Sequence, residues 1–305
     1  MLVPIFTFLV LSSLLLMSEF KLETLDKYHN DICKVLVDSS NSIDNYFIDT
    51  NGTESSKTSA EIKSSFALET KRSSEYDMRL RLRFNLPKIQ KKLRLVLEDK
   101  DTDDPLYDGT TLDSDHRLKS DNYFLRLEYF DHLIRNYHIS SGVGVRFRRS
   151  NLHPYLNLKM RYIIDDSKER GSFIANRFRL YIDGDIENVF TYNFLERFWD
   201  DIYVLFHNVH RYQSWKKDRT FVNTLSMTKV YTKQQEVSLG VALNTLYNSN
   251  VIKVLYPQLY GVYRDSLYKN WIYYELNPSL LWREENDYRI SARFMVNIGV
   301  IFNAD

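Results

Sequence analysis

Cysteine is almost missing from this chain. A single residue, Cys33, stands in 305, so no disulfide framework can hold the fold. Glycine and proline are scarce, at 9 and 6, which excludes collagen-like and flexible-linker sequence. Charge of one sign is lacking too: 41 Lys+Arg face 40 Asp+Glu, for +1 overall. A balance so near zero gives no general attraction to nucleic acid. Long apolar runs are absent beyond Met17, so the chain is not a bundle of membrane-crossing helices. What it has in abundance is tyrosine, 22 residues, in a chain that is 44% hydrophobic. Such a composition folds rather than staying disordered.

The exception comes first. Leu2 to Met17 is nearly all apolar and is followed by Glu19-Phe20-Lys21. Its position, and a length slightly short for a membrane span, predict a secretory signal over residues 1–18, with Ser18 nearest the cut. No Lys or Arg precedes the run, and no A-x-A follows it. An uncleaved anchor and a buried helix are the competing readings. Cys33 follows Asn30-Asp31-Ile32, not the small residues of a lipidation site, and reads as a passenger thiol. Asn51-Gly52-Thr53 matches a glycosylation sequon, a pattern common by chance. Residues 19–58 read as a periplasmic segment. Leu22, Leu25, His29, Ile32 and Leu36 line one face of a helix, and Asp38 to Ser42 is expected to break it. Such a helix packs on the main body, or caps an opening in it.

From about residue 60 the period changes from 3.6 to two. Met78, Leu80, Leu82, Phe84 and Leu86 alternate with Arg79, Arg81, Arg83 and Asn85, before a turn at Pro87-Lys88-Ile89-Gln90. Leu93, Leu95 and Leu97 alternate with Arg94, Val96 and Glu98. Similar stretches surround Leu125, Leu158, Leu239 and Tyr274, and the last is the most regular, with Ile290, Ala292, Phe294, Val296, Ile298, Val300 and Phe302 on one face. Side chains alternate across a strand, so each stretch is an amphipathic strand. About fourteen fit between residues 60 and 302, with twelve as the alternative and 189–211 and 252–264 the least regular. No helical stretch separates them, so the expected sheet is an antiparallel meander over 59–305.

Alternation suits both a soluble sandwich and a transmembrane barrel, which differ in which face meets water. Four features favour the barrel. The chain starts with an export signal. Its strands have bilayer-crossing length. Aromatics (Tyr123, Tyr129, Tyr162, Trp271, Trp282, Tyr288, Phe302) fall near strand ends, like interfacial girdles. The chain also finishes in its best amphipathic strand. That ending, Phe294-Met295-Val296-Asn297-Ile298-Gly299-Val300-Ile301-Phe302, resembles the C-terminal assembly signal of Gram-negative outer-membrane β-barrel proteins. Those usually stop at the aromatic, whereas here Asn303-Ala304-Asp305 follow. Arg79 to Asp99, with its Leu-Pro turn, is similar to proteobacterial barrels of no assigned activity. The resemblance implies an outer-membrane location, with membrane lipids and the barrel assembly machinery as partners. It also implies an even strand number and an extracellular loop 99–121.

The polar face is basic. Arg79, Arg81, Arg83, Lys92, Arg94, Arg126, Arg146, Arg148, Lys159, Arg161, Arg177, Arg179, Arg289 and Arg293 outnumber Glu98, Glu128, Glu236 and Glu275. The balancing acid sits in loop 99–121, where eight Asp face Lys100, Arg117 and Lys119. In a barrel this lines the lumen with arginine, and such linings select anions. The leading expectation is therefore a porin-like channel or passive transport protein for small anionic solutes. A closed structural or assembly-related barrel is the alternative, since small barrels fill with side chains. A membrane-embedded hydrolase comes third.

No catalytic constellation supports that third reading. Asp115-His116 and Asp131-His132 are adjacent, so on a strand they point oppositely. His207 and His210, three apart, do not share a strand face. His138 and Ser140 do, but without a third orienting group. Asp99, Asp101 and Asp103 resemble a calcium loop, yet Asp104 stands where it needs glycine and Thr110 where it needs glutamate. No cofactor is expected, and a metal only as a loosely held surface ion.

Overall fold

The computed structural model describes residues 22–47, 58–85, 93–98, 122–134, 136–148, 151–166, 170–199, 201–232, 234–248 and 251–303. The expected signal over 1–18, the sequon at Asn51, the expected turn at Pro87 and the segment 99–121 lie outside the described residues.

One helix, α1 (Leu22–Phe47), precedes the strands. These are β1 (Ser59–Glu69), β2 (Glu75–Asn85), β3 (Leu93–Glu98), β4 (Asn122–Ile134), β5 (Tyr137–Arg148), β6 (Asn151–Asp166) and β7 (Arg170–Tyr181). They continue with β8 (Ile186–Trp199), β9 (Ile202–Gln213), β10 (Asp218–Val230), β11 (Glu236–Asn248), β12 (Val251–Tyr268), β13 (Ile272–Trp282) and β14 (Ile290–Asn303). Each strand pairs antiparallel with its neighbour in sequence, and β14 pairs back onto β1, from Ser59 opposite Asn303 to Glu69 opposite Arg293. The expected up-and-down barrel is therefore closed, with fourteen strands. Closure leaves no edge of unpaired N–H and C=O groups, which hydrocarbon could not satisfy.

The two faces differ sharply. On β6, Leu156 is 58% exposed and Tyr155 beside it 3%. Leu80, Val143, Met227, Leu239, Val241 and Ile298 are similarly exposed, giving the apolar exterior of a transmembrane barrel. Aromatic pairs mark the end nearer the termini: Tyr137–Tyr162, Phe198–Trp199 and Tyr263–Tyr274, with centroids 4.8, 4.6 and 5.8 Å apart. Tyr76, Tyr123 and Tyr288 stand exposed at the other end. Tyr129 departs from the girdle expected of it: it lies inside β4, opposite Leu93 and Ser141.

The glycine shortage has a structural counterpart. Several tight turns do without glycine, and Lys71, Asp201, Lys217 and Lys269 take positive φ instead. Glycines stand under tyrosines. Gly144, Gly240 and Gly299 face inward opposite Tyr155, Tyr260 and Tyr273 on the paired strand. A Cβ on any of them would lie within 2.6 Å of the ring carbon Cζ. Each tyrosine thus lies flat across a glycine and pins the local register. Gly142-Val143-Gly144 therefore makes room for a tyrosine, not only for arginines.

Helix α1 runs straight through Asp38 to Ser42, where a break was expected. Ser42 satisfies its hydroxyl within the helix, donating to the Asp38 carbonyl at 2.7 Å. The face turned to the barrel also shifts: Ile32 is exposed, while Cys33 and Ser40 are more buried. His29 stacks on Trp271 at 4.3 Å and on Phe302 at 5.3 Å. Asp26 accepts from Lys269 at 2.6 Å and Tyr268 at 3.1 Å in the β12–β13 turn. The helix is thus tied to the rim where the chain ends.

Two outcomes follow from this geometry. Gly240→Val is expected to displace Tyr260 and cost about 1–3 kcal/mol, read as a lower urea midpoint for loss of heat-modifiable gel mobility. Gly261→Ala should change little, since its Cβ would meet nothing closer than 3.4 Å. Asp26→Asn is expected to raise the labelling rate of Cys33, the only thiol, by a membrane-impermeant reagent. The Lys269 hydrogen bond holds the Asp26 carboxyl below its usual value, with Tyr268 adding to it. The tie is therefore intact above the ordinary carboxylate range and lost as pH falls through the depressed value. Wild-type labelling should rise only below about pH 4.

Candidate functional site

The candidate site is the barrel interior. Closure sends every second side chain inward, where opposite charges meet across neighbouring strands. Among the described residues, four carboxylates there each meet two or more cations. Glu128 on β4 faces Arg126 at 2.6 Å and Arg94 of β3 at 3.7 Å. Glu187 on β8 faces Arg179 of β7 at 3.2 Å and Arg211 of β9 at 3.6 Å. Glu275 on β13 faces Lys63 of β1 at 2.6 Å and Arg264 of β12 at 3.9 Å. Glu69 closes the ring where β1 meets β14. It receives Arg283 at 2.7 and 2.9 Å, Arg293 at 3.0 Å and Ser291 at 3.2 Å.

Among the described residues, the inward cations are not spread evenly. Along β2 to β7 stand Arg79, Arg81, Arg83, Arg94, Arg126, Arg146, Lys159, Arg161, Arg177 and Arg179, against Glu75, Asp77 and Glu128. The rest of the wall is balanced among the described residues: Lys63, Arg197, Arg211, Arg264, Arg283 and Arg293 stand against Glu61, Glu69, Glu187, Asp218, Glu236 and Glu275. That half carries amides and hydroxyls instead. A cavity of about 380 Å³ lies there, with Asn193, His207, Thr224, Ser226, Ser238 and Asn277 among its lining.

The interior is not polar throughout. Val189, Val209 and Val222 form a buried apolar cluster on β8 to β10. Phe124, Tyr155 and Tyr181 form another, joined by Trp215 from the β9–β10 turn. Guanidinium groups lie over these rings: Arg179 is 5.1 Å from the Phe124 centroid and 4.9 Å from Tyr155, and Arg146 is 5.4 Å from Trp215. The aromatic faces partly replace water around the cations.

Of the residues singled out in sequence, Arg79, Arg81, Arg83, Arg94, Arg126, Arg146, Arg161, Arg177, Arg179, Arg293, Glu128, Glu236 and Glu275 stand on the inward side of their strands. Arg289 does not join them. It precedes β14 and is exposed on the turn after Glu284–Asn286, because the strand starts one residue later. Arg148 and Glu98 occupy inward positions of β5 and β3, but their side chains lie outside the described residues, as do Asp99, Asp101 and Asp103. Phe294, Val296, Ile298, Val300 and Phe302 lie on the outward side of β14.

Glu75 and Asp77 were legible, since they share parity with Arg79 on β2, whereas Lys63 and Glu69 lie on β1, where no face had been assigned. Glu187 and Arg211 were masked, because Val189 and Val209 point inward while Asn188 and Asn208 point outward. Arg283 gave no signal, as it lies beyond the alternating stretch and folds back. His138 and Ser140 share the inner side of β5, opposite Arg161 and Lys159. His207 and His210 point to opposite faces: His207 bonds Asn193 at 3.0 Å inside, and His210 stacks on Phe221 outside. Among the described residues, no three His, Cys, Asp or Glu are grouped to hold a metal.

Glu69 is fully enclosed, so removing its charge strands two buried guanidinium groups. Glu69→Gln is expected to cost about 3–5 kcal/mol, measured as the shift in urea unfolding from vesicles. Lys253→Ala, which removes an exposed pair with Glu284, should shift it by less than about 1 kcal/mol.

No family model matches this chain, and no curated protein matches it. Solved structures do resemble it. OprB of Pseudomonas putida is 8% identical, with 80% of this chain and 92% of that one covered and a TM-score of 0.47. OmpT, an outer membrane protein of Vibrio cholerae, is 8% identical over 82% of this chain and 99% of that one, with a TM-score of 0.46. The KdgM porin in complex with disordered oligogalacturonate is 8% identical over 79% and 98%, with a TM-score of 0.37. At these values the likenesses add nothing about solute or activity to the architecture already described.

Proposed function

We propose that this chain is a porin-like channel or passive transport protein of a Gram-negative outer membrane, with an arginine-lined lumen that favours small anionic solutes. The observation that carries the reading is the uneven inner wall. Among the described residues its inward cations crowd β2 to β7, where few carboxylates face them. An anion entering such a lumen meets a favourable potential, and a cation meets a barrier. The apolar exterior, the aromatic rims and the C-terminal strand support insertion by the barrel assembly machinery after export on the 1–18 signal.

A second reading, a closed structural barrel, draws on the buried valine and aromatic clusters inside. Conductance separates the two. Reconstituted in planar bilayers, the protein is expected to give discrete steps with a reversal potential shifted toward the anion. Lys159→Glu combined with Arg161→Glu reverses two charges on β6 and should lower the anion-to-cation permeability ratio several-fold. Absence of steps, or a cation preference in the wild type, overturns the channel reading.

A further inference from the structure

Mid-strand positions that face lipid hold Leu, Val, Ile, Met or Phe over most of the barrel. Four adjacent strands depart from this. Asn176 on β7, Asn188 on β8, Asn208 on β9 and Asn223 on β10 all point outward, since Arg177, Glu187, Val209 and Val222 beside them are buried inside. Among the described residues, outward amides within strands occur only here. Three of the four are deep: Asn176, Asn208 and Asn223 each lie at least five residues from either end of their strands. At about 3.3 Å per residue, they stand well inside the hydrocarbon.

An amide in hydrocarbon is costly unless all its donors and acceptors are met. The chain meets part of that demand itself. Asn188 donates to Asn176 at 3.0 Å and Asn176 returns a bond at 3.4 Å. Asn208 donates to Asn223 on the next strand. Asn188 also donates to the Arg177 carbonyl at 3.4 Å. An asparagine side chain offers two N–H groups and two lone pairs, so each pair still keeps unused donors and acceptors. Between them His210 lies stacked on Phe221, with its Nε2 buried and unbonded. Phe190 lies opposite Asn176 and His210, Tyr192 opposite Asn208, and Phe206 packs on Tyr192 at 6.1 Å.

We propose that this amide face of β7 to β10 is where two copies of the chain associate within the membrane. A second copy fits because an amide is both donor and acceptor. The patch is therefore its own complement, and a two-fold axis brings a face onto itself. Lipid chains offer no hydrogen bonds, whereas the partner's asparagines meet the remaining donors and lone pairs. The flanking rings supply the packing that amides lack.

The experiment is chemical cross-linking in lipid vesicles alongside native mass spectrometry from detergent. Wild type is expected as a dimer, and Asn208→Leu with Asn223→Leu as a monomer. Both should keep heat-modifiable mobility, since leucine suits the lipid face. Asn176→Leu with Asn188→Leu serves as a second variant should the first fail to insert. A monomeric wild type, a variant that inserts and stays dimeric, or cross-links only to a different protein would each overturn the proposal. Conductance is read separately, so a non-conducting dimer would count against the channel reading and not against this one.

Discussion

Backbone hydrogen bonding in a medium without water is the constraint on which the rest of this structure depends. A strand edge left open in hydrocarbon would expose a row of unpaired N–H and C=O groups, each costly. The chain answers with the pairing of β14 on β1, eleven residues long from Ser59–Asn303 to Glu69–Arg293. Everything else is arranged around that seam. Glu69 stands at one end of it, gripping Arg283 and Arg293. At the other end, His29 of α1 bonds the Ile301 carbonyl at 3.0 Å and covers Phe302. The seam is thus locked at both rims by polar contacts from outside the ladder.

Closure in turn buries Arg126, Arg177, Arg179 and Arg293 in the interior. The chain shares single carboxylates between cations and lays guanidinium groups, Arg179 and Arg146 among them, on aromatic faces. Both devices hold buried cations inside a chain of net charge +1.

The strands were readable because a half-buried sheet repeats every second residue, and that pattern survives in β2, β6, β11 and β14 without knowledge of the fold. It blurred where both faces depart from type. On β8 and β9, valines point inward and asparagines outward, so alternation of apolar and polar residues carries no direction. Helix α1 was misjudged at Asp38 to Ser42 for a related reason. Serine and aspartate weaken a helix by offering local alternatives, but here Ser42 bonds inside the helix and Ser40 is buried.

The sequence by itself determined that the chain forms amphipathic antiparallel strands, about how many, and that their polar face is basic. Those properties follow from periodicity and side-chain type, which are local. Only the tertiary structure decided which strand closes on which, that Arg283 folds back to Glu69, and that glycines lie beneath tyrosines. It also decided that the asparagines of β7 to β10 share one outward face. Each of these joins residues far apart in the chain, and register across a closed sheet is what brings them together.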